Sequence, residues 1–270
     1  MGDIFNLNWY KNYVFYIRIF KFAPLLMIEP YIFGHRGAMG YCIENTMPCF
    51  KKAVEFGAGI EADLQLTKDN QLICFHDYYI ELNLKRYNVK NLTLYELKSL
   101  KFNDNREIPT AIELIENFKH QNHLLRFSFD IRDNFAGYKL IDLTERLNML
   151  KKIEITERRF NHILHLRRYN KEVKIVHTLP EIISKINEKT VNFDFLKEVR
   201  VDTINIISWR ATFSNFREII NNGFKCYVWG VNSKTRMKRV LNLKYKQAGV
   251  NAIYSDYPDL VINLRDKIKG

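Results

Sequence analysis

Residues 33–77 read FGHRGAMGYCIENTMPCFKKAVEFGAGIEADLQLTKDNQLICFHD, and the organisation of the whole chain can be worked out from them. In the run from Gly59 to Leu66, Glu61, Asp63 and Gln65 alternate with Ile60, Leu64 and Leu66. Period two puts the acidic pair on one face of a strand. An apolar run from Tyr31 ends at Gly34-His35-Arg36-Gly37, and a second run over 71–75 delivers His76-Asp77 after the turn Thr67-Lys68-Asp69-Asn70. Between the first two extended segments, Thr46 precedes a helical stretch to about Phe56, with Pro48 in its first turn where a missing N–H costs nothing. Two imidazoles and two carboxylates thus fall at or beside the ends of successive extended segments, each followed by a turn signal. That clustering suits a small metal-dependent active site.

Further along, the pattern is irregular from Tyr78 to Arg106 apart from a helix expected at 94–100. A helix follows from Pro109 through about Phe118, then a strand over 124–132 in which Ser128, Asp130 and Arg132 alternate with Phe127, Phe129 and Ile131. After Gly137, helices are expected at 139–150, 158–168, 181–188, 214–221, 234–246 and 258–268, between strands at 153–156, 173–177, 201–207, 224–229 and 250–254. With the strands at Tyr31, Gly59 and Leu124 this makes eight strand–helix units. Such alternation implies a parallel sheet, and eight units predict an α/β fold of the (β/α)8 TIM-barrel type with a short insertion after the second strand. In that fold the carboxyl ends of the strands line the active site. His35, Glu61, Asp63 and Asp130 fall at such ends, and His76 follows the excursion after the second strand.

A chain of 270 residues, 47% hydrophobic with 11 Gly and 6 Pro, buries one large core without dividing, so one domain is expected over 30–270 with an N-terminal extension over 1–29. The formal charge of +12 favours anionic partners such as phosphorylated small molecules. Its basic residues are scattered and no stacking or groove-reading module is visible, so nucleic acid is not an expected partner. The four cysteines show no CxxC pair and no zinc-site spacing, and a reduced compartment is the simpler reading, with Cys74 in the core and Cys42 near the site. In the extension, Lys11, Arg18 and Lys21 interrupt the apolar run. It is therefore expected neither to span a membrane nor to serve as a signal peptide, but to form a helix that packs on the barrel or lies on a membrane surface. The expected location is cytoplasmic, with peripheral membrane contact through that segment, and no obligate protein partner is evident. His162, His165 and His177 read as hydrogen-bonded structural residues.

From Tyr31 to about Leu264 the chain resembles the glycerophosphodiester phosphodiesterase family. The resemblance rests on Gly34-His35-Arg36-Gly37, Glu44-Asn45-Thr46, Gly59-Ile60-Glu61-Ala62-Asp63, Thr67-Lys68-Asp69, His76-Asp77, Ile108-Pro109-Thr110, Val228-Trp229-Gly230-Val231-Asn232 and Ser255-Asp256-Tyr257-Pro258, all in order. It implies a (β/α)8 phosphodiesterase that uses one divalent metal ion, Ca2+ or Mg2+, and releases glycerol 3-phosphate and an alcohol. Carried over residue by residue, it makes His35 and His76 the catalytic pair and Glu61, Asp63 and Asp130 the metal ligands. Arg36, Arg132 and Trp229 become substrate contacts. The chemistry agrees: a phosphodiester monoanion needs a hard cation to offset charge on its oxygens, and two imidazoles to take and give protons near neutral pH.

Three positions depart from the family pattern. Asp130 stands where glutamate is usual and is one methylene shorter. Glu81-Leu82-Asn83-Leu84 replaces an arginine-threonine-threonine run, and Gly230 replaces a threonine beside Trp229. Two further readings are therefore carried forward: a lysophospholipase D-like enzyme on lipid substrates, and a degenerate barrel that binds phosphorylated ligands or a membrane without turnover.

Overall fold

The computed structural model describes residues 29–121 and 123–269, and the N-terminal extension lies, but for Glu29, outside the described residues. Eight parallel strands form the barrel: β1 (Tyr31–Gly34), β2 (Gly59–Leu66), β3 (Phe127–Ile131), β4 (Ile153–Glu157), β5 (Lys174–Thr178), β6 (Thr203–Ile207), β7 (Lys225–Trp229) and β8 (Ala252–Ser255). They pair in chain order, and β1 pairs with both β2 and β8, so the sheet closes. Closure leaves no barrel edge for another chain to pair with.

The period-two pattern sorts each strand between two environments. Ile60, Ala62, Leu64, Phe127, Phe129 and Ile131 are buried in the apolar layer between the barrel and its helices. The alternate positions point into the barrel, where Phe33, Val176, Tyr227 and Tyr254 form an inner apolar cluster. All eight residues of β2 are buried, Glu61, Asp63 and Gln65 included. No face of β2 is solvated, so its acidic residues have to be accounted for inside the barrel.

The insertion after β2 begins with a short strand, Leu72–Cys74, antiparallel to β2. A hairpin that the irregular sequence did not reveal follows, pairing Tyr79–Leu82 with Lys85–Asn88. Helix Leu94–Ser99 carries a capping box between Thr93 and Glu96, and helix Ala111–Phe118 carries another between Thr110 and Glu113. Ile73, Phe75, Ile80, Leu82, Val89, Leu97 and Ile108 give this excursion an apolar core of its own.

Three expected helices differ. The one expected at 234–246 ends at Leu241, and Lys244–Tyr245 instead pairs antiparallel with Ala248–Gly249. The helix after β3 spans Asn134–Arg146, with Asp133 capping Ala136 N–H, and runs through Gly137 instead of starting after it. A Cβ at Gly137 would lie 2.5 Å from Leu166 Cδ2, so this glycine serves close helix packing. The helix expected at 181–188 does not form. Asn215 takes the backbone of that stretch, accepting from Ile186 N and donating to Ser184 O, while Ile182 is exposed. The helix of this unit is Phe193–Glu198, capped by Asn192. Among the described residues no helix is long and apolar enough to cross a membrane.

Candidate active site

At the carboxyl ends of the strands a cavity of about 230 Å3 is lined by His35, Arg36, Glu61, Asp63, His76, Asp130 and Trp229 together with Thr156, Arg158, Thr178, Glu181, Asn205 and Tyr254. Seven of the eight side chains singled out from sequence therefore share one pocket. Arg132 is the exception.

The loop after β1 positions the first group. Arg36 adopts φ +51° and Gly37 φ +86°, and this turn aims Arg36 N–H at Glu61 Oε2, 2.7 Å away. Gly37 is required there, since a Cβ would lie 2.6 Å from the Cys49 backbone. The Arg36 guanidinium bonds Glu44 at 2.7 Å and has its Nε 3.1 Å from Asp63 Oδ2, an ionic contact in which the N–H is not aligned on the oxygen. Asn45, also left-handed at φ +54°, donates to Asp63 Oδ2 and accepts from Asp63 N–H. The loop thus grips the end of β2 from both sides. Thr46 precedes helix Met47–Glu55 as expected, but its hydroxyl donates to Ile43 O instead of capping the helix. Cys42 of this loop is disulfide-bonded to Cys49 of that helix, correcting the reduced reading, while Cys74 is buried and free.

His35 Nδ1 lies 2.8 Å from Asp256 Oδ1, just beyond β8, and Nε2 is 4.0 Å from Glu61 Oε2. Asn232 in turn donates to Asp256 Oδ2 at 2.6 Å and accepts from Asp256 N–H. Burial by itself lowers the His35 pKa, but the Asp256 bond and the Glu61 charge outweigh it, and the net shift is upward. His76 Nδ1 lies 2.8 Å from Asp77 Oδ1. In both rings a carboxylate partner fixes the hydrogen on Nδ1 and leaves Nε2 for other work.

The segment that carries His76 is clamped through its carbonyls. Gln65 Nε2 donates to Phe75 O and Asp77 O at 2.7 and 2.8 Å, and Arg132 Nη2 donates to His76 O. The Arg132 guanidinium also lies 4.7 Å from the centroid of the Tyr78 ring. Arg132 is turned to this loop instead of the cavity, because a carbonyl and an aromatic face beside β3 take up its charge.

Four acidic side chains line the cavity, and three of them, Glu61, Asp63 and Asp130, come from the adjacent strands β2 and β3. Asp63 and Asp130 are register partners on β2 and β3, and Glu61 stands one inward position below Asp63. Burial, then the neighbouring Asp63 charge, pushes Glu61 up to about 8 and Asp130 up to about 7. Among the described residues no three His, Cys, Asp or Glu side chains meet the spacing for holding an ion. The donor set fits one in kind: hard carboxylate oxygens whose charges oppose one another in a buried site are the ligands that calcium and magnesium take.

The profile of the glycerophosphoryl diester phosphodiesterase family matches residues 35–260. The chain belongs to this family. It is a phosphoric diester hydrolase, and the family generally depends on a divalent metal. The chain is 29% identical over 251 residues to a glycerophosphodiester phosphodiesterase of Caldanaerobacter subterraneus, covering 86% of this chain and 96% of that one. It is 23% identical to the lysophospholipase D GDPD1 of Homo sapiens, over 83% of this chain and 82% of that one. Among solved structures it is similar to an Oleispira antarctica phosphodiesterase in complex with the product sn-glycerol-3-phosphate. The TM-score is 0.73 at 19% identity, covering 90% of this chain and 99% of that one.

Asp256, Asn232, Asn45 and Gln65 act on the site but were not singled out as functional. The first three lie in family motifs, and Gln65 shares the inward phase of Glu61 and Asp63. Arg158, Thr178, Glu181 and Asn205 carried no such signal. His177 is structural as expected: it is buried, its Nδ1 lies 3.1 Å from Glu157 O, and its ring stacks on Phe160.

Proposed function

We propose that this phosphodiesterase cleaves glycerophosphodiesters to sn-glycerol 3-phosphate and an alcohol, with His35 and His76 as the acid–base pair and Glu61, Asp63 and Asp130 holding a divalent cation. The observation that carries the reading is that both histidines and all three carboxylates open on one cavity. The product complex of the Oleispira antarctica phosphodiesterase supports glycerol phosphate as the retained half of the substrate.

One imidazole takes the proton of the substrate's own glycerol hydroxyl as its oxygen bonds to phosphorus, and the other gives a proton to the departing alkoxide. Water then opens the resulting cyclic phosphate with the two roles reversed. Asp256 and Asp77 orient the two rings and stabilise each as it becomes cationic. Arg36, bound to Glu44 and Asp63, holds the carboxylate end of β2 in place while it faces the cavity. When bound, the cation offsets charge on the phosphoryl oxygens. Chain oxygens alone cannot do this, because buried carboxylates add to the negative charge instead of cancelling it.

Release of glycerol 3-phosphate from glycerophosphocholine and glycerophosphoethanolamine tests the proposal, with calcium or magnesium and with chelator. We expect release that depends on metal and falls by about 100- to 10,000-fold in His76→Ala, the usual worth of one acid–base group. Release unchanged by chelator would refute the metal role. Absence of release from either compound would move weight to lipid substrates.

One observation favours that second reading. The hairpin that follows His76 ends in Asn83 and Leu84, both at positive φ, and Leu84 is fully exposed beyond the exposed Tyr78 and Tyr79. Choline release from lysophosphatidylcholine, faster than from glycerophosphocholine, would establish it.

A further inference from the structure

Five arginines follow the carboxyl ends of barrel strands, at 36, 132, 158, 159 and 210, and among the described residues four of them are already committed. Arg36 is bound by Glu44 and Asp63. Arg132 gives its guanidinium to His76 O and the Tyr78 ring. Arg159 pairs with Glu157 at 2.8 Å and donates to Arg132 O and Ile131 O. Arg210 donates to Pro180 O and lies 4.1 Å from the Trp209 ring centroid. Arg158, directly after β4, differs from all of them: it lines the cavity, it is exposed, its backbone N–H is bound by Glu157 Oε1, and its guanidinium, which shares an electrostatic attraction with Asp130, makes no hydrogen bond or salt bridge among the described residues.

A phosphodiester in this cavity faces the carboxyl groups of Glu61, Asp63, Asp130 and Glu181 and needs a permanent cation that no salt bridge holds. A guanidinium meets both needs, and its planar fork matches two phosphoryl oxygens at once. We propose that Arg158 is the side chain that receives the phosphoryl group of the substrate, and that Arg132 is a positioning residue for His76. This rests on the phosphodiester chemistry proposed above and adds to it which cation meets the substrate.

Calorimetric titration of the full chain with sn-glycerol 3-phosphate, in buffer holding magnesium or calcium, tests the division of labour without requiring turnover. We expect Arg158→Ala to weaken binding by roughly 10- to 100-fold, the worth of a hydrogen-bonded charge. Arg158→Lys should recover part of that loss, because a point charge replaces the fork. Arg158 is exposed, so both variants should keep the melting temperature of the natural chain. Arg132→Gln should bind within about threefold of the natural chain but turn over glycerophosphocholine more slowly, lowering kcat with little change in KM. Equal affinity of Arg158→Ala and the natural chain, or an Arg132→Gln loss as large as that of Arg158→Ala, would overturn the proposal while leaving the phosphodiesterase reading intact. No binding by the natural chain with either metal would overturn both.

Discussion

The two ends of the barrel interior hold the same kinds of side chain in opposite states of compensation. At the amino end, Glu154 on β4 is almost wholly buried and bound at 2.6 Å by Arg126 and at 2.8 Å by Lys174, with the Tyr227 and Tyr254 hydroxyls at 3.2 and 3.3 Å. Arg126 also lies over the Tyr31 and Phe33 rings. At the carboxyl end, Arg36 pairs with Glu44 and Asp63, while Glu61 and Asp130 have no salt bridge to an arginine or lysine among the described residues and are pushed up to about 8 and 7. The difference teaches where function sits. Charge cancelled by the chain itself serves the fold, and charge gathered without cancellation makes a place for a cation and a reacting phosphate. Tyr254 joins the two ends, lining the cavity while its hydroxyl reaches Ser128 and Glu154.

Substitutions at the two ends should therefore fail in different ways. The largest effect is expected from His35→Ala, which should reduce kcat by about 100- to 10,000-fold while leaving the melting temperature nearly unchanged. A comparable loss of stability would place His35 with the structural residues of the opposite end. Next, Glu154→Gln should destabilise the fold by about 2–3 kcal/mol in denaturant titration, because the part-buried Arg126 and Lys174 lose their counter-charge. A change below about 1 kcal/mol would show that water reaches the amino end.

His177 sharpens the contrast from outside the barrel. Burial lowers its pKa to about 4, partly offset by the Glu157 carbonyl and charge, against 6.5 for an unperturbed imidazole. Between those values the unfolded chain binds the extra proton and the folded one does not, so stability rises with pH there. Acidification from pH 7 to pH 4 should remove about 3 kcal/mol through this group. His177→Gln should flatten the dependence, and an unchanged slope would assign it to other groups.

The smallest effect has the opposite sign. Glu61→Gln removes one of two adjacent buried carboxyl groups, and in chelator above pH 8, where both are ionised, it should raise stability by about 1 kcal/mol while abolishing metal-dependent turnover. A destabilised Glu61→Gln would mean that its bond from Arg36 N–H outweighs the repulsion from Asp63.

Much of this architecture was legible along the chain because it is local. Period two on Gly59–Leu66 and Phe127–Ile131 sorted inward from outward residues, and turn signals after His35, Leu66 and His76 marked the catalytic end. The hairpin after His76 was not legible, since Asn83-Leu84 is an unusual pair for two positive-φ positions that glycine or asparagine would normally mark. The missing helix over 181–188 was not legible either, because what opposes it is the side chain of Asn215 from another unit.

By itself the sequence determined the eight-unit alternation, the family, and which strand ends carry imidazole and carboxylate, since each is written in spacings of a few residues. Only the tertiary structure decided how those groups are used. His35 meets its partner Asp256 across 221 residues because β1 closes on β8, and Glu154 finds Tyr227 and Tyr254 only inside the closed barrel. The same closure brings Arg158 to the cavity, while carboxylates, carbonyls and rings of neighbouring segments engage Arg36, Arg132, Arg159 and Arg210. Spacing along a chain specifies which groups reach a strand end, and contacts between distant strands set their partners, charge and direction.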